Sequence, residues 1–122
     1  MSDQQPICEV SSGGAKHWYL NGKLHRVDGP ACEYANGNKS WFLNGKLHRV
    51  DGPACEDVDG DKVWYLNGNL HRVDGPAAEK ANGDKQWWLN GKPCKPIEAF
   101  KAATHEQKIH MLCFYASEFM PR

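Results

Sequence analysis

Apolar and aromatic positions in this chain recur with a fixed period rather than in long runs. Trp18, Trp41, Trp64 and Trp87 stand 23 residues apart, and each is followed by a second aromatic residue (Tyr19, Phe42, Tyr65, Trp88) and then Leu-Asn-Gly. Self-similarity at such a period marks stacked supersecondary units, each too small to bury its own apolar face. Within one unit, Ala31-Cys-Glu-Tyr-Ala35 and Asn38-Lys-Ser-Trp-Phe-Leu43 are strand-like runs flanking Asn36-Gly37. Asn-Gly or Asp-Gly in that place suits a type I′ turn, in which both central residues take positive φ. Gly13-Gly14, Asp59-Gly60 and Asn82-Gly83 are the equivalent turns. The pattern predicts four successive hairpins, with Cys32 opposite Trp41 and Glu33 opposite Ser40. Connectors of the form Leu-Asn-Gly-x-Leu-His-Arg-Val-Asp-Gly-Pro-Ala join them.

The period changes near the C-terminus. Pro93 and Pro96 interrupt a fourth connector, and the array is expected to span residues 6–95. Beyond it Ile97, Phe100, Ala103, Ile109, Leu112, Cys113, Ala116, Phe119 and Met120 fall at spacings of three and four, which predicts an amphipathic helical segment over 96–120. Thr104-His-Glu-Gln107 reads as a capping box that divides the segment into two helices. Helices at the end of an open hairpin array serve to cover its last unit, as terminal caps do in other repeat proteins. The expected fold is mainly β, one domain of tandem antiparallel β-hairpin repeats with a C-terminal α-helical cap.

Composition narrows the functional classes. Fifteen Lys plus Arg balance fifteen Asp plus Glu, so no overall field draws the chain to nucleic acid or an anionic membrane. No secretory leader pattern and no run of about 18 apolar residues is visible, and five cysteines without a CxxC pair read as free thiols of a reducing compartment. A soluble, cytoplasmic protein is the expectation.

Chemistry-bearing candidates lie in the connectors. His25-Arg26-Val27-Asp28, His48-Arg49-Val50-Asp51 and His71-Arg72-Val73-Asp74 would place three guanidinium groups in a ladder, about 10 Å apart if each unit adds two strands. Arginine's planar fork suits carboxylate or phosphate, so the ladder could grip an acidic protein surface or a phosphorylated ligand. The competing account makes the motif a latch, with Arg paired to the nearby Asp or to Glu33, Glu56 and Glu79, and His donating to a backbone carbonyl. Ligands spaced one per unit cannot converge on one ion, so neither zinc nor any other cofactor is expected from the His and Cys columns. No nucleophile elbow, phosphate loop or symmetry-breaking acid pair points to catalysis. His17, Asp57, His105, His110 and Cys113 depart from the repeat and read as surface or helix residues. The Trp column reads as core, with Trp87-Trp88 beside the cap as the candidate exposed interface.

Trp-x-x-Asn-Gly-Lys-x-His followed by a strand, Asn-Gly or Asp-Gly, and a second strand ending in Trp resembles the MORN repeat. More narrowly, Trp-Tyr-x-Asn-Gly-x-x-His-Arg-x-Asp-x-Pro-Ala is similar to variant MORN-like repeats of phage and giant-virus proteins, over residues 6–92. Arg26, Arg49 and Arg72 stand where the usual pattern has Gly. The resemblance implies a row of β-hairpins and, for function, a viral accessory factor. The expectation is a non-enzymatic adaptor or inhibitor that binds a protein, such as a host defence or regulatory protein, through His25, Arg26, His48, Arg49, His71, Arg72, Trp87 or Trp88. The alternatives are sequestering of a nucleotide or other phosphorylated ligand, and an antitoxin-like role. Self-association through the C-terminal helix or Trp87/Trp88 is a further expected use, whereas membrane and nucleic acid are not expected partners.

Overall fold

A computed structural model describes residues 4–119; Met120, assigned above to the helical segment, lies outside the described residues. The chain is mainly β with two C-terminal helices. Each repeat contributes two hairpins, not one. The longer ones pair Ile7–Val10 with Lys16–Leu20, Cys32–Glu33 with Lys39–Ser40, Cys55–Glu56 with Lys62–Val63, and Ala78–Glu79 with Lys85–Gln86. They follow one another across a single antiparallel sheet in chain order. The shorter ones pair Phe42–Leu43 with Lys46–Leu47, Tyr65–Leu66 with Asn69–Leu70, and Trp88–Leu89 with Lys92–Pro93, while Lys23–Leu24 folds back on Lys16–Leu20.

The two kinds of hairpin use Asn-Gly differently. At Asn44-Gly45 both residues have positive φ, 51° and 80°, and Leu43 lies opposite Lys46, so the two-residue turn of I′ type sits inside the connector. Asn21, Asn67 and Asn90 repeat that geometry. At Asn36-Gly37 only Gly37 is left-handed, at 96°. There the Gly37 N–H donates to the Tyr34 carbonyl and the Tyr34 N–H to that of Asn38, which makes a three-residue loop closed by a glycine bulge. The extra loop residue corrects the expected register: Cys32 faces Ser40 and Glu33 faces Lys39.

The observed register sets opposite charges across from one another. Lys16, Glu33, Lys39, Glu56, Lys62, Glu79 and Lys85 follow one another across the strands in directly opposed positions. Opposite charges placed this way favour pairing over slippage by a few tenths of a kcal/mol to about 1 kcal/mol per pair. Lys85 closes the row on Glu118 of the cap, 3.9 Å away.

Repeats are also stitched through the short hairpins. The N–H groups of Gly45, Gly68 and Gly91 donate to the carbonyls of Leu24, Leu47 and Leu70, each at 2.8 Å, and those of Arg26, Arg49 and Arg72 reach forward to Phe42, Tyr65 and Trp88. Core positions are mostly small, with Ala31, Ala54, Ala77 and Ala78 buried together with Cys32.

At the C-terminal end, helices α1 (Pro96–Ala102) and α2 (His105–Tyr115) meet at Thr104. Both halves of the expected capping box form there, Gln107 N–H to Thr104 Oγ1 at 3.2 Å and Thr104 N–H to Gln107 Oε1 at 2.8 Å. Trp87 is buried against Ala99 and Met111, with Tyr115 and Phe119 edge-on to its ring at 5.9 Å each. Trp87 and Trp88 are therefore not an exposed patch: Trp87 lies inside the cap and Trp88 is half-buried. The docking side of α2 is set by Met111 and Tyr115, and the expected stripe of Ile109, Leu112 and Cys113 faces solvent. No helix among the described residues is long and apolar enough to cross a membrane.

Candidate functional site

The His-Arg-Val-Asp-Gly-Pro segments form three equivalent loops along one side of the array, and each is anchored by its arginine. Arg26, Arg49 and Arg72 lay their guanidinium groups over Trp18, Trp41 and Trp64, 3.8–3.9 Å from the ring centroids. Each Nε donates to the Asp two residues on, at 2.9–3.0 Å, and each Nη1 donates to the carbonyl of Pro30, Pro53 or Pro76 at 3.1 Å. Arg49 and Arg72 also reach Glu56 and Glu79, at 3.2 and 3.4 Å. Their side chains are only 22%, 22% and 10% exposed along the array. The fork is thus engaged within its own loop.

Glycine makes that fold-back possible. A Cβ at Gly29, Gly52 or Gly75 would lie 2.9, 2.9 or 2.6 Å from the guanidinium carbon, closer than real contacts allow. Asp-Gly-Pro-Ala, which reads in the sequence as a turn and little else, is also the seat of the arginine.

The histidines act in the opposite sense to the expected latch. Nδ1 of His25, His48 and His71 accepts the N–H of Asn44, Asn67 and Asn90, 19 residues on, at 3.0 Å. An Nδ1 that accepts carries no proton, so each ring is the neutral Nε2–H tautomer. Burial holds His71 below the usual imidazole pKa. The fourth unit has Cys94 and Lys95 in place of His and Arg, which removes both latch groups. Tyr115 and Phe119 take the place of a guanidinium against Trp87.

Two grooves lie between consecutive loops. The first, of about 500 Å³, is bounded by Arg26–Gly29 on one side and His48–Asp51 on the other, with Trp41 and Leu43 between them. The second, of about 470 Å³, repeats every one of those positions 23 residues on and adds Gln107 and His110 of α2. Val27 and Val50 stand at the groove mouths 80% and 82% exposed, whereas Val73 is half-buried. Asp28 and Asp51 are 87% and 86% exposed, against 38% for Asp74. The side chains that this face presents to water are therefore valine and arginine-paired carboxylate rather than the guanidinium itself.

Residues that break the repeat are placed individually. His17 stacks beside Tyr19 and edge-on to Tyr34, His110 Nε2 is buried without a protein partner, and Cys113 is an exposed free thiol. Cys8, Cys32, Cys55 and Cys94 are likewise unbridged, and burial raises the pKa of Cys32, Cys55 and Cys94, which makes them less reactive as thiolates. Sequence reasoning passed over Asp57-Val-Asp-Gly-Asp61, whose three carboxylates bring one oxygen each within 4.8 Å of the others. Asp59 accepts the Asp61 N–H and Asp61 the Ala81 N–H, at 3.2 and 2.7 Å, which ties this turn to the next repeat. Its signal was visible, since the other three turns do not carry three acids.

Comparison of the chain with models of protein families, with curated proteins and with solved structures finds no match.

Proposed function

We propose that this protein is a non-enzymatic binding module, an adaptor or inhibitor that engages another protein through the loop face of its repeat array. The observation that carries this reading is the exposure of Val27 and Val50 on loops held rigid from beneath by Arg, His and Trp. A preorganised apolar patch with polar rims is the anatomy of a protein interface, and its rigidity lowers the ordering cost of association. The acidic rim of Asp28 and Asp51 adds a preference for basic residues around the partner's apolar contact.

A phosphorylated ligand gripped by the arginines would have to displace the Asp and the proline carbonyl from each fork. That competition disfavours the sequestering alternative. The role of a viral accessory factor, which the MORN-like resemblance implies, is compatible with such a binder, and a host protein is then the natural partner.

Affinity capture from host lysate, with Val27→Glu/Val50→Glu as the paired bait, tests the reading. A partner retained by the native chain and lost from the variant is the expected result. A set of captured proteins identical for the two baits would overturn it.

A further inference from the structure

We infer that Asn21-Gly22 is a covalent modification site, a turn at which the chain converts its own asparagine to isoaspartate and aspartate with water as the co-reactant. The Gly22 nitrogen attacks the carbonyl carbon of the Asn21 side chain. A C–N bond forms there as the bond to the side-chain nitrogen breaks, and that nitrogen leaves as ammonia with the proton that Gly22 gives up. Water then opens the resulting succinimide at either carbonyl. One product is aspartate in a normal peptide chain, and the other is isoaspartate, in which the main chain runs through the former side chain. Glycine at the second position leaves the attacking nitrogen unhindered.

Asn-Gly occurs six times, at Asn21, Asn36, Asn44, Asn67, Asn82 and Asn90, and both residues are exposed in every case, so access to water does not tell the sites apart. The hydrogen bond on the glycine nitrogen does. The N–H groups of Gly45, Gly68 and Gly91 donate to a carbonyl of the preceding repeat at 2.8 Å, and those of Asn44, Asn67 and Asn90 to the preceding histidine at 3.0 Å. Gly37 and Gly83 donate within their own loops, to Tyr34 and Lys80 at 2.9 Å, while the side-chain oxygens of Asn36 and Asn82 accept the N–H of Asn38 and Asp84. Asn21-Gly22 has the backbone of the connector turns, φ 52° and 77°, with no repeat before it to hold it. Among the described residues neither of its N–H groups nor the Asn21 side chain has a hydrogen-bond partner, and nothing lies within 4 Å of a Cβ placed on Gly22.

Cyclisation requires the glycine nitrogen to give up its proton and the turn to swing that nitrogen toward the asparagine side chain. A donated hydrogen bond opposes both, so a latched turn has to open locally before it reacts. Each of the three later connector turns must break two hydrogen bonds to do so, and the first must break neither. The asymmetry follows from the direction of the array, because each latch is supplied by the repeat before. Conversion also has a structural consequence. Isoaspartate adds a carbon to the main chain of a two-residue turn whose flanking residues, Leu20 and Lys23, are paired. The next residue, Leu24, supplies the carbonyl that holds Gly45, so the change reaches the stitch between the first and second repeats.

The test uses the full chain, kept folded in mildly alkaline buffer made up in ¹⁸O-water, then digested in ordinary water and mapped by mass spectrometry. Label should enter at Asn21 at least about tenfold faster than at Asn44, Asn67 or Asn90, the protection expected from two hydrogen bonds on each latched turn. In urea the four Leu-Asn-Gly sites should label at similar rates, because the unfolded chain has no latches and the tripeptide is the same. Equal rates at the four sites in the folded chain overturn the inference. So does a lead for Asn21 that persists unchanged in urea, which would belong to local sequence rather than to the fold, and so does a folded chain that takes up no label at Asn21 while the unfolded chain does.

Discussion

Arg72→Met separates a latch from a ligand grip, because it keeps a long apolar stem over Trp64 and removes the fork. The Pro76 carbonyl loses its 3.1 Å donor, and an acceptor left unsatisfied in a part-buried site costs about 1–2 kcal/mol. The guanidinium 3.8 Å from the Trp64 centroid, on a side chain only 10% exposed, contributes about 1–2 kcal/mol as a cation–π pair. The pairs with Asp74 and Glu79 keep contact with water and add at most about 1 kcal/mol together. A Met sulfur against the indole restores roughly 0.5–1 kcal/mol. The net loss is about 2–3 kcal/mol, which for a chain of this length lowers Tm by roughly 6–12 °C. Arg26→Met removes a fork that is more exposed and has no glutamate partner, so about half that loss is expected. Scanning calorimetry of the three single variants should order them Arg72→Met, Arg49→Met, Arg26→Met from most to least destabilised. Three shifts within about 2 °C of zero, roughly half a kcal/mol, would refute the latch.

Other consequences can be measured directly. Gly75→Ala places a methyl 2.6 Å from the Arg72 guanidinium carbon, and the overpacking should cost about 1–3 kcal/mol in a urea titration, with Gly52→Ala, whose contact is 2.9 Å, the milder of the two. Asn44→Ala should lose about 1 kcal/mol and Asn44→Gly much less, since a β-carbon other than that of Asn is penalised at φ 51°. The lowered His71 pKa means that the unfolded chain binds the proton more readily. Stability from this group is complete above about pH 6.5 and falls away as pH drops through the lower folded-state value, a loss that Tm measured from pH 7.5 to 5 should show. Tyr115, pushed up to about 12 by burial and by its hydrogen bond to Glu79, behaves oppositely. Its contribution is complete below about pH 10 and is lost as pH rises toward 12. Burial also raises the pKa of Tyr34 and Tyr65, so an ultraviolet phenolate titration should show Tyr115→Phe losing the step near pH 12 while later-than-ordinary steps remain.

The period, the strand content, the helical cap and the helix break at Thr104 are all legible in the residues, because Trp spacing and the capping box each report one local event. The turn type is not. Asn36-Gly37 and Asn44-Gly45 are the same dipeptide between strand-like runs, and only the backbone shows that both residues turn left-handed at one and glycine alone at the other. That ambiguity hid the second hairpin and moved the register by one. The arginine ladder was visible as a column, yet whether a fork points outward or folds back depends on the room above Gly29, Gly52 and Gly75, a three-dimensional fact. Likewise the 3.6-residue pattern of the last segment holds apolar residues on more than one side, so it could not show that Met111 and Tyr115 dock and Ile109 and Leu112 do not. Val27 and Val50 gave no signal, since a single valine in a polar loop is an ordinary surface residue.

The locking of the three arginine forks is read most directly from the side-chain Nε–Hε signals of Arg26, Arg49 and Arg72 in ¹H–¹⁵N spectra. Locked forks predict three dispersed, slowly exchanging signals with the steady-state order of the backbone and cross-relaxation to the Trp18, Trp41 and Trp64 rings. Three overlapped, rapidly exchanging signals that move together when inorganic phosphate is added would contradict it and return the ladder to the role of ligand grip.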